Sequence, residues 1–160
     1  MTAMQTRAAR VSRFATRAHD AVTLAVVALV VVDPGRRLRR STDWQVWLPA
    51  MQAVEGVMRR VTRPLVVGAV ATGAAAAAAA ASEGRRGQAE ARAVAALLDA
   101  VAVRVTLVCN DPVCAKVRDW QPAQEPPDWH AQWRRWERGH RVRRVLWSAA
   151  AAATLVSRRL

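Results

Sequence analysis

Six residues near the end of the chain are spaced as though to share one task. Trp129, Trp133, Trp136, His140, Arg143 and Trp147 follow one another in steps of 4, 3, 4, 3 and 4. Such steps draw a single stripe along a helix. His140 is the one imidazole on that stripe, since His19 and His130 lie elsewhere. An imidazole, with an ordinary pKa of ~6.5, is the natural general base at neutral pH. Arg143 follows one turn later on the same face. A guanidinium there would hold an anionic oxygen or stabilise a developing oxyanion. Its charge would also keep His140 neutral and able to take a proton. Trp129, Trp133 and Trp136 would supply flat apolar walls suited to an aromatic ligand. The spacing also describes an amphipathic helix with His140 and Arg143 at lipid-headgroup level, and it does not choose between the two.

The rest of the chain must position this stripe. Its 160 residues amount to one domain. They are 52% hydrophobic, yet they carry a net charge of +13. Long apolar stretches exclude a disordered chain. Two cysteines exclude a disulfide scaffold. Cys109, Cys114 and three scattered histidines make no metal-ligand pattern. The arginines fall in bursts between apolar segments, as in loops that flank membrane spans. Nucleic-acid binders instead gather charge on one face, so no nucleic-acid partner is expected. A GC-rich source would by itself favour Arg and Ala.

Four apolar segments emerge. Ala21–Val32 covers only ~18 Å as a helix, short of a ~30 Å hydrocarbon core. Extended back through Phe14 and Val11 it takes in Arg13, Arg17, His19 and Asp20, which would have to snorkel. A signal peptide fits less well, because no small-x-small cleavage site follows. Pro64–Ser82 is the clearest span: 19 residues without charge, ending in the alanine run Ala74–Ala81. A soluble alanine helix is the competing reading. Ser82–Arg92 is a tight polar turn with Gly84 and Gly87. Ala93–Cys109 is the third segment, with Asp99 and Arg104 on different faces, either each paired with another helix or exposed to water. Val145–Ser157 is the fourth.

The expected architecture is all-α: an antiparallel four-helix transmembrane bundle with two long connectors on one side. The whole chain is one helical membrane domain, with spans at about 14–32, 64–82, 92–109 and 142–157 and a basic tail at 1–13. Residues 33–63 and 110–144 are the connectors. Six tryptophans lie in or next to them, as in an interfacial belt. The connector side carries fifteen basic residues and the other side nine, so the positive-inside rule leans towards cytoplasmic connectors. The expected location is the cell membrane, multi-pass, with membrane lipid as a partner and the oligomeric state left open.

The motifs also resemble a family. Asn110-Asp-Pro112-Val-Cys114, Trp129, Trp133-Arg-Arg-Trp136 and His140-Arg-Val-Arg143 are similar in order and spacing to the bacterial and fungal anthrone-oxygenase-like membrane proteins. Leu48-Pro-Ala-Met51-Gln52-Ala-Val-Glu55 resembles the family's Met-Gln-x-x-Asn motif. Two positions depart from the pattern: Cys114 and Glu55 stand where the family has Asn. The resemblance implies a four-span bundle in which His140 and Arg143 are catalytic. It also implies that Gln52, Asn110, Trp129, Trp133 and Trp136 bind substrate. Characterised fungal members oxidise anthrones to anthraquinones with O2 and no evident metal or flavin, so no cofactor is expected. The implied ligands are an aromatic polyketide-like molecule and O2. The acidic benzylic methylene makes this plausible: once deprotonated, the carbanion itself reduces O2, and the protein need supply a base, an oxyanion stabiliser and an apolar pocket. The alternative is a non-catalytic membrane subunit or accessory protein, which the short first and fourth segments would suit.

Overall fold

Helices follow wherever the apolar positions recur every three or four residues. The computed structural model describes residues 3–29 and 41–160. Six α-helices are found there: α1 (Ala3–Val27), α2 (Trp44–Val57), α3 (Arg63–Ser82), α4 (Arg86–Val105), α5 (Asp111–Asp119) and α6 (Trp129–Ser157). No strand occurs among the described residues. Two short π-helical turns, Met58–Thr62 and Thr106–Asn110, join α2 to α3 and α4 to α5 without a break. Four long rods result, of which Trp44–Ser82 and Arg86–Asp119 are long and apolar enough to cross a membrane.

Both π-turns have a cause in the sequence. Pro64 and Pro112 each follow a turn by two residues. Proline has no N–H for the carbonyl four residues back, and its ring clashes with that carbonyl. Widening the preceding turn by one residue relieves both problems, and Arg63 N–H and Asp111 N–H now reach back five residues to Met58 and Thr106. The carbonyl of Val108 that Pro112 cannot bond accepts instead from Arg135 Nη2 at 2.9 Å.

This corrects the reading of the connectors. Residues 44–63 and 111–119 are helical, as is 129–144, where the stripe already predicted a helix, which leaves Trp120–Asp128 as the one described connector of length. The signals were the Asp43 N-cap, whose side chain accepts from Gln45 N–H at 2.8 Å, and an apolar stripe at Trp44, Trp47, Leu48 and Met51, all buried. Helix α1 begins at Ala3, so the expected basic tail is already helical. The last residues of the expected first span, 30–32, lie outside the described residues. The turn from α3 to α4 is shorter than the expected Ser82–Arg92, since α4 already begins at Arg86. Gly84 has φ +74°, and Arg85 N–H and Gly84 N–H close back onto Ala80 and Ala81 as a Schellman cap.

The four rods form a square in which α1 and α4 each pack against α3 and α6. Small residues set the spacing. Ala69, Gly73, Ala76 and Ala80 of α3 are buried, and a Cβ at Gly73 would lie 2.9 Å from the His19 ring and 3.1 Å from Ala96 Cβ. The interior is unusually polar. His19 donates from Nδ1 to the Ala69 carbonyl at 3.2 Å, and its Nε2 meets the Thr154 hydroxyl at 3.2 Å. Arg92 is buried against Asp20, which also holds Arg158 at 2.9 Å. Of the two ionisable residues noted on the third segment, Asp99 faces inwards and Arg104 is exposed. Large apolar side chains face outwards instead, among them Val67, Val94, Leu97, Leu107 and Val145.

Beyond this square, α2, α5 and the start of α6 build a second core. Trp44, Trp47, Trp120 and Trp129 form a box with ring centroids 5.0–6.1 Å apart. Leu48, Met51, Val113 and Val117 pack against it. The predicted tryptophan belt is in part this core.

Candidate functional site

The stripe on α6 faces inwards along most of its length. Trp129, Trp136, His140, Arg143 and Trp147 are buried and Trp133 is half-buried. Helical spacing therefore marked a packed face, and the partners of that face decide what each residue does.

Arg143 is held from three sides. Nη2 donates to His140 Nδ1 at 3.1 Å, and Nη1 donates to the Thr106 hydroxyl at 3.2 Å. The guanidinium carbon lies 5.4 Å from the centroid of Trp147, within cation–π range. His140 in turn stacks on Trp136, centroids 4.8 Å apart with planes 16° apart. Since a guanidinium only donates, Nδ1 of His140 is an acceptor here, which leaves the ring proton on Nε2 of the neutral imidazole.

A cavity of about 160 Å³ opens in front of Arg143. Its back wall is Trp136, Arg143 and Trp147 of α6. Both π-turns reach it, one through Met58 and Thr62, the other through Thr106, Leu107 and Asn110. Val66, Val67 and Val103 make the sides. At the α5 end, Asp111 pairs with Arg63 at 2.8 Å, and the Cys114 thiol lines the wall. The Cys114 thiol is buried. Among the described residues no group of three metal-ligating side chains is gathered.

The expected site residues divide into three groups. Arg143, Asn110 and Trp136 line the cavity. His140 is not among its lining residues and lies beside Trp136, its Nδ1 occupied by Arg143. Gln52, Trp129 and Trp133 are elsewhere. Gln52 Nε2 donates to the carbonyls of Val117 and Trp120 at 3.1 Å each, so it ties α2 to the end of α5. Trp129 belongs to the tryptophan box, and Trp133 packs at its edge.

Asn110 lines the cavity but has a structural duty too. Its Nδ2 donates to the Trp136 carbonyl at 2.9 Å. Its Oδ1 rests on Gly139, where a Cβ would come within 2.6 Å. Gly139 thus lets α6 approach the π-turn closely. Sequence reasoning passed over Gly139, and it also missed Met58, Thr62, Arg63 and Thr106. The available signal was the pair of prolines inside apolar helices, because each marks a π-turn and such turns gather at functional sites.

The model for the anthrone oxygenase family matches residues 57–153, more than half of the chain. The chain belongs to the anthrone oxygenase family. The match includes both π-turns, all cavity-lining residues, and His140. Gln52 and Glu55 lie outside it. No curated protein and no solved structure matches the chain.

Of the two departures from the family motifs, Cys114 sits in the cavity wall. Glu55 is buried on α2, 3.5 Å from Arg59 and 3.7 Å from Arg118, so its charge bridges α2 and α5.

Proposed function

We propose that this anthrone oxygenase family member is a multi-pass cell-membrane protein that oxidises a lipophilic phenolic substrate of the anthrone type with O2. The membrane reading is supported by an inverted distribution of polarity. His19, Arg92, Asp99 and Arg143 are buried, while Val67, Val94, Leu97, Leu107 and Val145 are exposed. In hydrocarbon, ionisable groups face the bundle interior and apolar side chains face the lipid. The catalytic reading rests on one observation above the others: a buried guanidinium, held in place by His140 and Thr106, faces an apolar cavity.

The reaction converts a ring methylene to a carbonyl. One atom of O2 enters the product and the other leaves as water, with both methylene hydrogens. The demanding step is the first proton loss, in which a methylene C–H bond breaks, the proton passes to water or hydroxide and the bonding pair stays behind as the enolate. A fixed cation beside the enolate oxygen lowers the pKa of that methylene and stabilises the anion without reorganising. Arg143 fits that role, and Trp136 and Trp147 flank the ring. His140 is assigned as the positioning residue that orients Arg143 rather than as the base, because its Nδ1 lone pair is already engaged. No resident metal or flavin is invoked, and O2 is taken as co-substrate.

Purified protein in lipid nanodiscs, given anthrone and O2, tests this by the yield of anthraquinone over the spontaneous background. Arg143→Ala should lower turnover about 100- to 1000-fold, the usual cost of losing an oxyanion donor. His140→Gln should lower kcat while leaving the pH profile unchanged, whereas loss of a base would erase its acid limb. A wild-type rate no faster than background would end the catalytic reading. It would favour the second one, a non-catalytic membrane subunit or accessory protein. That alternative draws on Asn110 and Gln52, whose amide groups already bond backbone carbonyls.

A further inference from the structure

We propose that the cavity is filled sideways from the hydrocarbon phase, through an opening between α3 and α4, by a lipophilic phenol whose oxygen ends at Arg143. The inference rests on the membrane location and phenolic ligand proposed above, and it adds the route of entry and the part of the ligand that is recognised.

Most sides of the cavity are walled. Helix α6 closes the back with Trp136, Arg143 and Trp147, each about 1% exposed. The floor is the packed cluster Val26, Val66, Ala102 and Trp147. At the opposite end the Arg63–Asp111 ion pair links the start of α3 to the start of α5 at 2.8 Å. Arg63 lines the cavity and its side chain is 46% exposed, so that end meets the surface through a charged pair, whereas a second opening is apolar. Val67 of α3 and Leu107, just beyond α4, line the cavity and are nevertheless 62% and 56% exposed. The cavity therefore reaches the surface between them, and the lips of this opening are aliphatic, unlike those at Arg63. A hydrated or charged ligand would have to shed water to pass such lips, whereas one dissolved in lipid would not.

The volume limits what enters. A cavity of ~150 Å³ accommodates one benzene. About 160 Å³ therefore takes one ring, and the remaining rings of a polycyclic phenol extend back between Val67 and Leu107 towards lipid. The ring that enters must carry the oxygen, because the one buried cation lining the cavity, Arg143, lies at its inner wall. Two fused rings with a terminal hydroxyl are the smallest probe with both features.

The test uses 1-naphthol and full-length protein in liposomes, with association followed by stopped-flow quenching of tryptophan emission. Turnover plays no part. Val67→Phe/Leu107→Phe narrows the lips without adding an indole. Val94→Phe, equally outward-facing on α4 but not lining the cavity, controls for bulk. Lateral entry predicts association about tenfold slower in the double variant and unchanged in Val94→Phe. It also predicts little quenching by a sulfonated naphthol, which stays in water. Circular dichroism confirms that each variant keeps its helices. Equal association rates in wild type and a folded double variant would overturn the proposal. Quenching by the sulfonate as fast as by naphthol would also overturn it, as would absence of naphthol binding to the wild type. Binding without anthrone turnover would leave the route standing and end the oxygenase reading.

Discussion

Gly139 shows how a single missing methyl group sets the site. Within a helix Gly→Ala ordinarily gains about 1 kcal/mol. At Gly139 the new Cβ would lie 2.6 Å from Asn110 Oδ1 and 2.8 Å from Cys109 Cβ, both on a π-turn that cannot retreat without dragging the cavity wall. Overpacking of that kind costs about 1–3 kcal/mol, so the clash wins. Gly139→Ala should lower the Tm, whereas Gly56→Ala, with nothing within 4 Å of its Cβ, should raise it. Thermal unfolding of the two variants checks the sign of each. The two thiols differ for a related reason. Cys114 is buried, so its thiol is shielded from reagents. Cys109 is half-buried. Alkylation of the native protein at neutral pH should modify Cys109 first, and Cys114 should react only after unfolding. Mass mapping that finds Cys114 modified first would contradict its burial. The residue types of the site were legible from the sequence, since Arg143 and Trp136 lie where the stripe put them. That Arg143 occupies His140 Nδ1, where a substrate proton was expected, was not legible, because helical spacing does not say which nitrogen a neighbour occupies.

At the scale of elements, prolines and small residues decide more than hydrophobicity does. Pro112 looked like the start of a loop because proline usually ends a helix. Here the helix continues through a π-turn, with the Val108 carbonyl satisfied by Arg135. Local propensity cannot reveal that rescue, for Arg135 lies on another helix. The crossing of α1 and α3 has a similar dependence. His19 is fully buried and fixed by hydrogen bonds to Ala69 and Thr154, so its ring cannot swing aside. Gly73→Ala would place a Cβ 2.9 Å from that ring. It should be destabilising alone, and less so when His19→Ala has removed the ring. A double-mutant cycle of chemical denaturation should show non-additivity of about 0.5–3 kcal/mol, the range for residues in contact. Additive losses would mean that the two helices do not meet there. The uncharged run at 64–82 was plain in the sequence as a helix. Its continuation back to Trp44 was obscured by the arginines between, which are polar at their ends yet lie on exposed faces.

For the whole molecule, the outward-facing valines and leucines predict that the protein stays with membranes under alkaline carbonate, and release into the supernatant would end the membrane reading. Interior polar groups make the same point from within, because Arg92 and Asp20 bury charge where a soluble bundle of this size would place leucines. The sequence by itself determined that the chain is helical, that its charge flanks apolar segments, and that its motifs belong with the anthrone oxygenases. All three follow from local quantities: spacing, composition and motif order. Only the tertiary structure decided which stripe residues share a cavity. Arg143, Asn110 and Trp136 meet there, together with Thr62 and Thr106, while Gln52 and Trp129 serve the tryptophan core. The physical reason is register. Each π-turn adds one residue and rotates everything beyond it by about 100°, so which face meets which neighbour depends on carbonyls satisfied from another helix.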